Sequence, residues 1–72
     1  MASDLHRLRK RSVTIQGHRT SIALENIFWT ALEKHAADDG KSLAQLIAEI
    51  DEARSTALAS AIRVWLFRKA LS

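Results

Sequence analysis

The side chains with most to offer chemically are basic. Arg7, Arg9, Lys10 and Arg11 crowd the start of the chain, and Arg19 follows. Such a cluster suits an anionic partner, nucleic-acid phosphate above all, and it equally suits a solvated tail. Groups for other chemistry do not assemble. Cysteine is absent, which removes disulfides, thiolate zinc sites and thiol nucleophiles. His6, His18 and His35 are scattered without an i, i+4 pair, so no metal site is expected. Glu33, His35, Asp38 and Asp39 lie close along the chain, but a charged helix end accounts for them. No nucleophile–base pair stands out, and we expect neither an enzyme nor a cofactor.

These residues sit in a chain with three charge blocks. Residues 1–20 are net positive, with only Asp4 opposing the basic side chains. Residues 21–52 are acidic, with Lys34 and Lys41 as their basic members, and residues 53–72 are basic without an acid. The 72 residues carry a formal net charge of +3 and are 47% hydrophobic, the composition of an ordinary soluble globular protein. Size adds a constraint. One core in a chain this short supplies only about 3–5 kcal/mol, and without disulfide or metal the remaining stabiliser is association. The longest bulky apolar run, Val64-Trp65-Leu66-Phe67, is far too short to span a bilayer, and no apolar segment of an export signal follows the basic start. A cytoplasmic protein is the default expectation.

The elements that must position the basic residues are legible from spacing. Residues 1–11 read as a flexible basic arm and residues 12–72 as the folded domain. Val13 and Ile15, then Thr20, Ile22 and Leu24, alternate with period two, the mark of a strand. Their parity fails across Gly17: a regular strand would put Val13 and Ile15 on the face opposite Ile22 and Leu24. A bulge, break or tight turn is therefore expected there, the specific alternative being a type II′ hairpin turn with Gly17 and His18 central. A helix follows near Glu25–Asp38, with Ile27, Phe28, Ala31, Leu32 and His35 or Ala36 as its apolar stripe and Trp29 off it. Gly40 suits the left-handed residue that ends a helix. Ser42 and Gln45 form the S-x-x-Q signature of a capping box, ahead of a helix face of Leu43, Leu46, Ile47 and Ile50. A third helix, capped by Ser55 or Thr56, runs to about Ala70 with Leu58, Ala61, Ile62, Trp65 and Leu66 inward. One strand leaves its backbone groups unpaired, and a second copy is the simplest partner.

A strand, a helix, a glycine turn and a capped helix in a small basic chain resemble the MetJ/Arc-type ribbon-helix-helix fold. The residues that carry the resemblance are Arg19-Thr20-Ser21-Ile22-Ala23-Leu24-Glu25, Phe28, Leu32, Gly40, Ser42-Leu43 and Leu46-Ile47-Ala48-Glu49-Ile50. The segment Lys10 to Ile22, with its Gly17-His18-Arg19-Thr20-Ser21 core, joined to Leu46–Asp51 and Ser60–Val64, is similar to a bacterial subfamily of short proteins of this kind. The resemblance implies a mostly α fold with one N-terminal strand and an extra C-terminal helix. It also implies an intertwined homodimer whose two strands form an intersubunit antiparallel two-stranded ribbon. In such a dimer the ribbon enters the DNA major groove. Arg19, Ser21 and Ala23 would face the bases, and Thr20, Ile22 and Leu24 the core. Lys41, Ser42 and Leu43, at a helix N-terminus, would hold a phosphate. Arg7, Arg9, Lys10, Arg11 and His18 would follow the DNA backbone.

The function so implied is a sequence-specific, dimeric transcriptional regulator, most simply a repressor. Arginine can donate two bonds to guanine, serine discriminates weakly, and alanine reaches at most a thymine methyl. Ala23 stands where many members of the family carry a long polar side chain. The alternative function is a protein-interaction module, antitoxin-like or an assembly adaptor, that keeps the same dimer and uses the acidic middle and the last helix. Trp65 and Phe67 beside Arg68 and Lys69 admit a membrane-surface helix, but dimer core explains that stripe better. An exposed Phe67 would mark a contact surface.

Overall fold

The computed structural model describes residues 4–72. Two strands, β1 (Leu8–Ile15) and β2 (His18–Glu25), precede three helices: α1 (Asn26–Asp38), α2 (Leu43–Ala53) and α3 (Leu58–Leu71). The strands form an antiparallel hairpin, with Ile15 opposite His18 and Leu8 opposite Glu25. The helices cover one face of that hairpin, and the core lies between. Leu24, Leu32, Leu46, Ile47 and Ile62 are the largest side chains buried completely. Each contributes about 1.5–3 kcal/mol of transfer free energy.

The hairpin corrects the expectation of one strand and an intersubunit two-stranded ribbon. The partner of the strand is its own neighbour in sequence, so the ribbon is made within one chain. The parity failure has its cause here. Gln16 (φ 50°) and Gly17 (φ 83°) occupy the two central turn positions, both left-handed, which is the type I′ geometry that matches strand twist. The turn is thus one residue earlier than expected, and type I′ rather than type II′. It folds the chain back so that Val13, Ile15, Ile22 and Leu24 share the buried face. Strand structure also begins at Leu8, so Leu8–Arg11, read as part of a flexible arm, are paired β-strand. Residues 1–3 of that arm lie outside the described residues.

Trp29 explains why β1 extends so far. Read from sequence as off the stripe, it is only 3% exposed, and α1 buries Trp29, Leu32 and Ala36 while Ile27 faces outward. Its indole Nε1 donates to the Arg9 carbonyl at 2.8 Å, and the Arg11 guanidinium lies 4.7 Å above its ring. Arg11 also reaches Glu33 at 3.1 Å. A buried aromatic with its polar tip satisfied thus ties β1 to α1.

The helix boundaries follow local chemistry. Past the end of α1, the Gly40 N–H donates to the Ala37 carbonyl and the Lys41 N–H to the Ala36 carbonyl, a Schellman motif with Gly40 at φ 67°. Ser42 then caps α2, its hydroxyl accepting from the Gln45 N–H at 3.0 Å. The buried face of α2 is Leu46, Ile47 and Ile50, with Leu43 half-buried, as the spacing implies. The third helix starts at Leu58 with no side-chain cap, and its inward residues Ile62 and Leu66 are buried.

Candidate nucleic-acid interface

Alternation along the hairpin sorts its side chains into two sets. Val13, Ile15, Ile22 and Leu24 turn inward, with Thr20 half-buried beside them. The opposite face presents Lys10, Ser12 and Thr14 from β1 and Arg19, Ser21 and Ala23 from β2, flanked by Leu8 and Glu25. The cross-strand pairs on this face are Thr14 with Arg19, Ser12 with Ser21 and Lys10 with Ala23. Arg19, Ser21 and Ala23 therefore stand together on the outer face. So does Lys10, which the sequence suggested as an arm residue. It lies directly across from Ala23, so the short side chain on β2 is flanked by a long cationic one on β1.

The charge on this face is positive except at one end. Glu25 is the acid there, and Arg63 of α3 binds it at 3.0 Å. Its carboxyl is held below the usual glutamate range, first by a backbone N–H bond at Glu25 itself and then by the Arg63 guanidinium. Arg63 also lies 5.8 Å from the Phe28 ring centroid, which fixes the pair against α1.

The remaining basic candidates divide. Arg7 and Arg9 are exposed, with Arg9 on the inner-facing parity beyond the edge of the core. Arg11 is engaged within the chain, by Trp29 and by a surface pair with Glu33. His18 is exposed at the first position after the turn. At the α2 N-terminus, Lys41 forms a 2.6 Å ion pair with Glu49, whose hydrogen bond raises the lysine above its ordinary range. The Ser42 hydroxyl is occupied as the cap, and Leu43 packs against the core. That terminus offers backbone N–H groups rather than side chains to an anion. The hairpin tip leans the other way along α2: the Gln16 side chain meets Glu52, near the helix C-terminus, at 3.4 Å.

Among the described residues no three His, Asp or Glu side chains gather as a metal site, and no helix is long and apolar enough to cross a membrane. The pairing of β1 with β2 takes the hairpin alternative that the sequence left open at Gly17, in place of the single strand otherwise expected. The signal was present as the Gln16-Gly17 dipeptide, with alternating residues reaching back to Leu8.

The arrangement has a close structural counterpart. An uncharacterized protein from Bordetella pertussis Tohama I shares it with a TM-score of 0.81 and 30% sequence identity, over 94% of this chain and 59% of that one. This chain thus spans about three-fifths of the length of that protein. No curated protein matches. Residues 8–70 match the ribbon-helix-helix domain, a span that opens on the first residue of β1 and closes in the last turn of α3. The hairpin and its three helices are therefore one family unit, and the chain belongs to the ribbon-helix-helix domain family.

Proposed function

We propose that the protein is a homodimeric, sequence-specific DNA-binding regulator of transcription that reads the major groove with the outer face of its hairpin. The observation that carries this reading is the composition of that face. Lys10, Ser12, Thr14, Arg19 and Ser21 are all exposed and project from paired strands whose other face is core. A two-stranded ribbon fits a groove about 12 Å wide, and residues two apart on a strand advance about 7 Å, two base-pair steps. Arg19 donates to guanine and Ser21 bonds weakly to either edge, while Lys10, Ser12 and Thr14 flank them from β1. The family is generally non-enzymatic, in keeping with this reading.

The dimer has a route that the hairpin leaves open. The Asn26 N–H bonds to the Arg7 carbonyl at 2.8 Å, which sets the hydrogen-bonding parity of the ladder. By alternation the backbone groups of Arg19, Ser21 and Ala23 point away from β1. A second copy pairing along this edge gives a four-stranded sheet with the two β2 strands central. Three strand spacings come to about 14 Å, wider than the groove, so the central pair enters it and the β1 strands lie over the phosphate backbones. Lys10 then meets phosphate from the outer face, and Arg7 and Arg9, of the opposite parity, reach it around the edge of β1. The Leu43 end of α2 remains a phosphate contact through its backbone N–H groups.

A second reading, a protein-interaction module of the antitoxin or adaptor kind, is favoured by the apolar outer side of α3. Selection of a binding site from random DNA, followed by affinity measured over a salt series, separates the two. DNA binding should weaken steeply with the logarithm of salt concentration, and a parent without DNA affinity at low salt would leave only the protein-binding reading.

A further inference from the structure

Ala23 is the odd member of the outer face of the hairpin: a methyl group among cations and hydroxyls, with Lys10 directly across from it on β1. Its other side is the edge of β2, which carries no further strand among the described residues. What stands beyond that edge depends on the register of the pairing between two β2 strands proposed above, and the inference rests on that reading. The backbone groups directed at the edge belong to Arg19, Ser21, Ala23 and Glu25. Glu25 is withdrawn from the ladder. Its carboxylate takes its own N–H and the Arg63 guanidinium, and α1 begins at the next residue. At the other end Gly17 is held in the turn. Three residues remain. The antiparallel pairing that uses all three sets Ser21 against Ser21 of the partner, and Arg19 against the partner's Ala23. A shift of two residues either way leaves two pairs in place of three.

From this register we infer that Ala23 is a specificity-determining residue that need touch no base: its methyl leaves the space through which the partner's Arg19 extends to a guanine, so that the sheet reads a guanine and a cytosine about four base-pair steps apart on one DNA strand. The outer face resolves into rows that cross four strands. Each flanking row runs from Lys10 through Ala23 to the partner's Arg19 and the partner's Thr14, and the central row is Ser12, Ser21 and their two copies. Side chains directly opposite stand about 5 Å apart, and like charges there repel. Ala23 thus keeps the guanidinium two strand spacings, about 10 Å, from Lys10. A longer side chain at position 23 would lie along the arginine stem, and a cationic one would also repel its head.

The spacing of the two bases follows from the same register. The two arginines are four residues apart along the ribbon, about 14 Å, which matches four base-pair steps of about 3.4 Å. The two-fold axis puts their guanines on opposite DNA strands. Read along one strand, the site is therefore G-N-N-N-C or C-N-N-N-G. The paired Ser21 side chains lie over its centre, and serine discriminates weakly, so the three middle positions are loosely specified.

Two measurements test this. The chain has no cysteine, so single-cysteine variants report the register without DNA. Under mild oxidation Ser21→Cys should form a covalent dimer, its two Cα atoms lying about 5.5 Å apart. Arg19→Cys and Ala23→Cys, each about 14 Å from its own copy, should not cross-link alone but should cross-link when mixed. Any other pattern overturns the register. The second measurement is selection from random duplexes, followed by affinity for the selected site. The parent should return the guanine and cytosine at the stated spacing. Ala23→Leu should lose roughly tenfold of the preference for that site, in the manner of Arg19→Ala, with its helical circular dichroism unchanged. Ala23→Ser, of nearly the same size, should keep it. Selected bases at another spacing, or an Ala23→Leu protein that keeps the preference, would overturn the inference and leave the reading of DNA in place. A Ser21→Cys dimer with no selective DNA binding would overturn that reading, and the inference with it.

Discussion

Two exposed surfaces lie at opposite ends of this chain, and they are opposite in kind. The outer face of the hairpin is polar and basic, while the outer side of α3 is apolar. Both are built by elements whose other side is buried. The difference shows what period two and period 3.6 do with a short sequence. In a strand every second residue is released from packing, so the outer face of the hairpin is free for Lys10, Arg19 and the hydroxyls between them. In α3 the inward stripe needs only Ile62, Leu66 and their half-buried neighbours, yet bulky apolar residues also occupy the far side. A face retained for polar contacts points to a hydrated, charged partner. An apolar face left open points to a surface that is covered.

The sharpest way to break the comparison is to put a charge on each side of the hairpin. Ile22→Lys places an ammonium in the core, which costs several kcal/mol and should abolish cooperative thermal unfolding in this small domain. Ser21→Lys, one position away and outward, should leave the melting curve nearly unchanged. Equal damage from both would mean that the outer face is covered within the folded unit.

Next in size is the separation of reading from docking. Arg19→Ala should lose about 1–3 kcal/mol of discrimination for the selected DNA site while remaining folded, since the side chain is exposed. Lys10→Ala should weaken binding to all sequences alike and lower the salt slope by about one. The measurement is affinity for selected and random duplexes over a salt series. An Arg19→Ala protein that still prefers the selected site would remove the hairpin from its reading role.

A smaller effect tests the turn. Gln16 holds φ at 50°, an unfavourable conformation for a residue with a long side chain, ahead of Gly17. Gln16→Asn installs the preferred type I′ dipeptide and should stabilise by about 0.5 kcal/mol, seen as a higher melting temperature. Gly17→Val should destabilise by about 1–2 kcal/mol, because a β-branched side chain is strained at φ 83° although the space around it is open.

The smallest effect is electrostatic. The carboxyl of Glu25 titrates below its unfolded value near 4.5, so its contribution to stability is present above that pH. The contribution is lost as pH falls through the lower folded value. Replacement by Gln should flatten the acid limb of the stability profile slightly and leave the limb above pH 5 with the same shape. For Lys41 the sign is reversed: its value is raised above 10.5, and its pairing with Glu49 fades only as pH climbs past that range.

Local signals in the sequence carried much of this architecture. The Gly40 stop, the Ser42 cap and the α2 face of Leu46, Ile47 and Ile50 each involve partners within four or five residues, and each was legible. The outward placement of Arg19, Ser21 and Ala23 was legible for the same reason, since alternation is a local property. The mismatch of Val13 and Ile15 against Ile22 and Leu24 even located the turn to within a residue. What turned that mismatch into a hairpin, rather than a bulge in one strand, was contact at a distance. Trp29 reaches twenty residues back to the Arg9 carbonyl and holds β1 down, so Arg11 leaves the basic arm and joins the fold. Arg63 reaches Glu25 across thirty-eight residues and closes the end of the outer face. No window of sequence contains both members of such pairs. Period and caps set which side of each element is apolar, but only the packing of α1 and α3 on the hairpin decided which cations, Arg11 and Arg63, were paired within the chain.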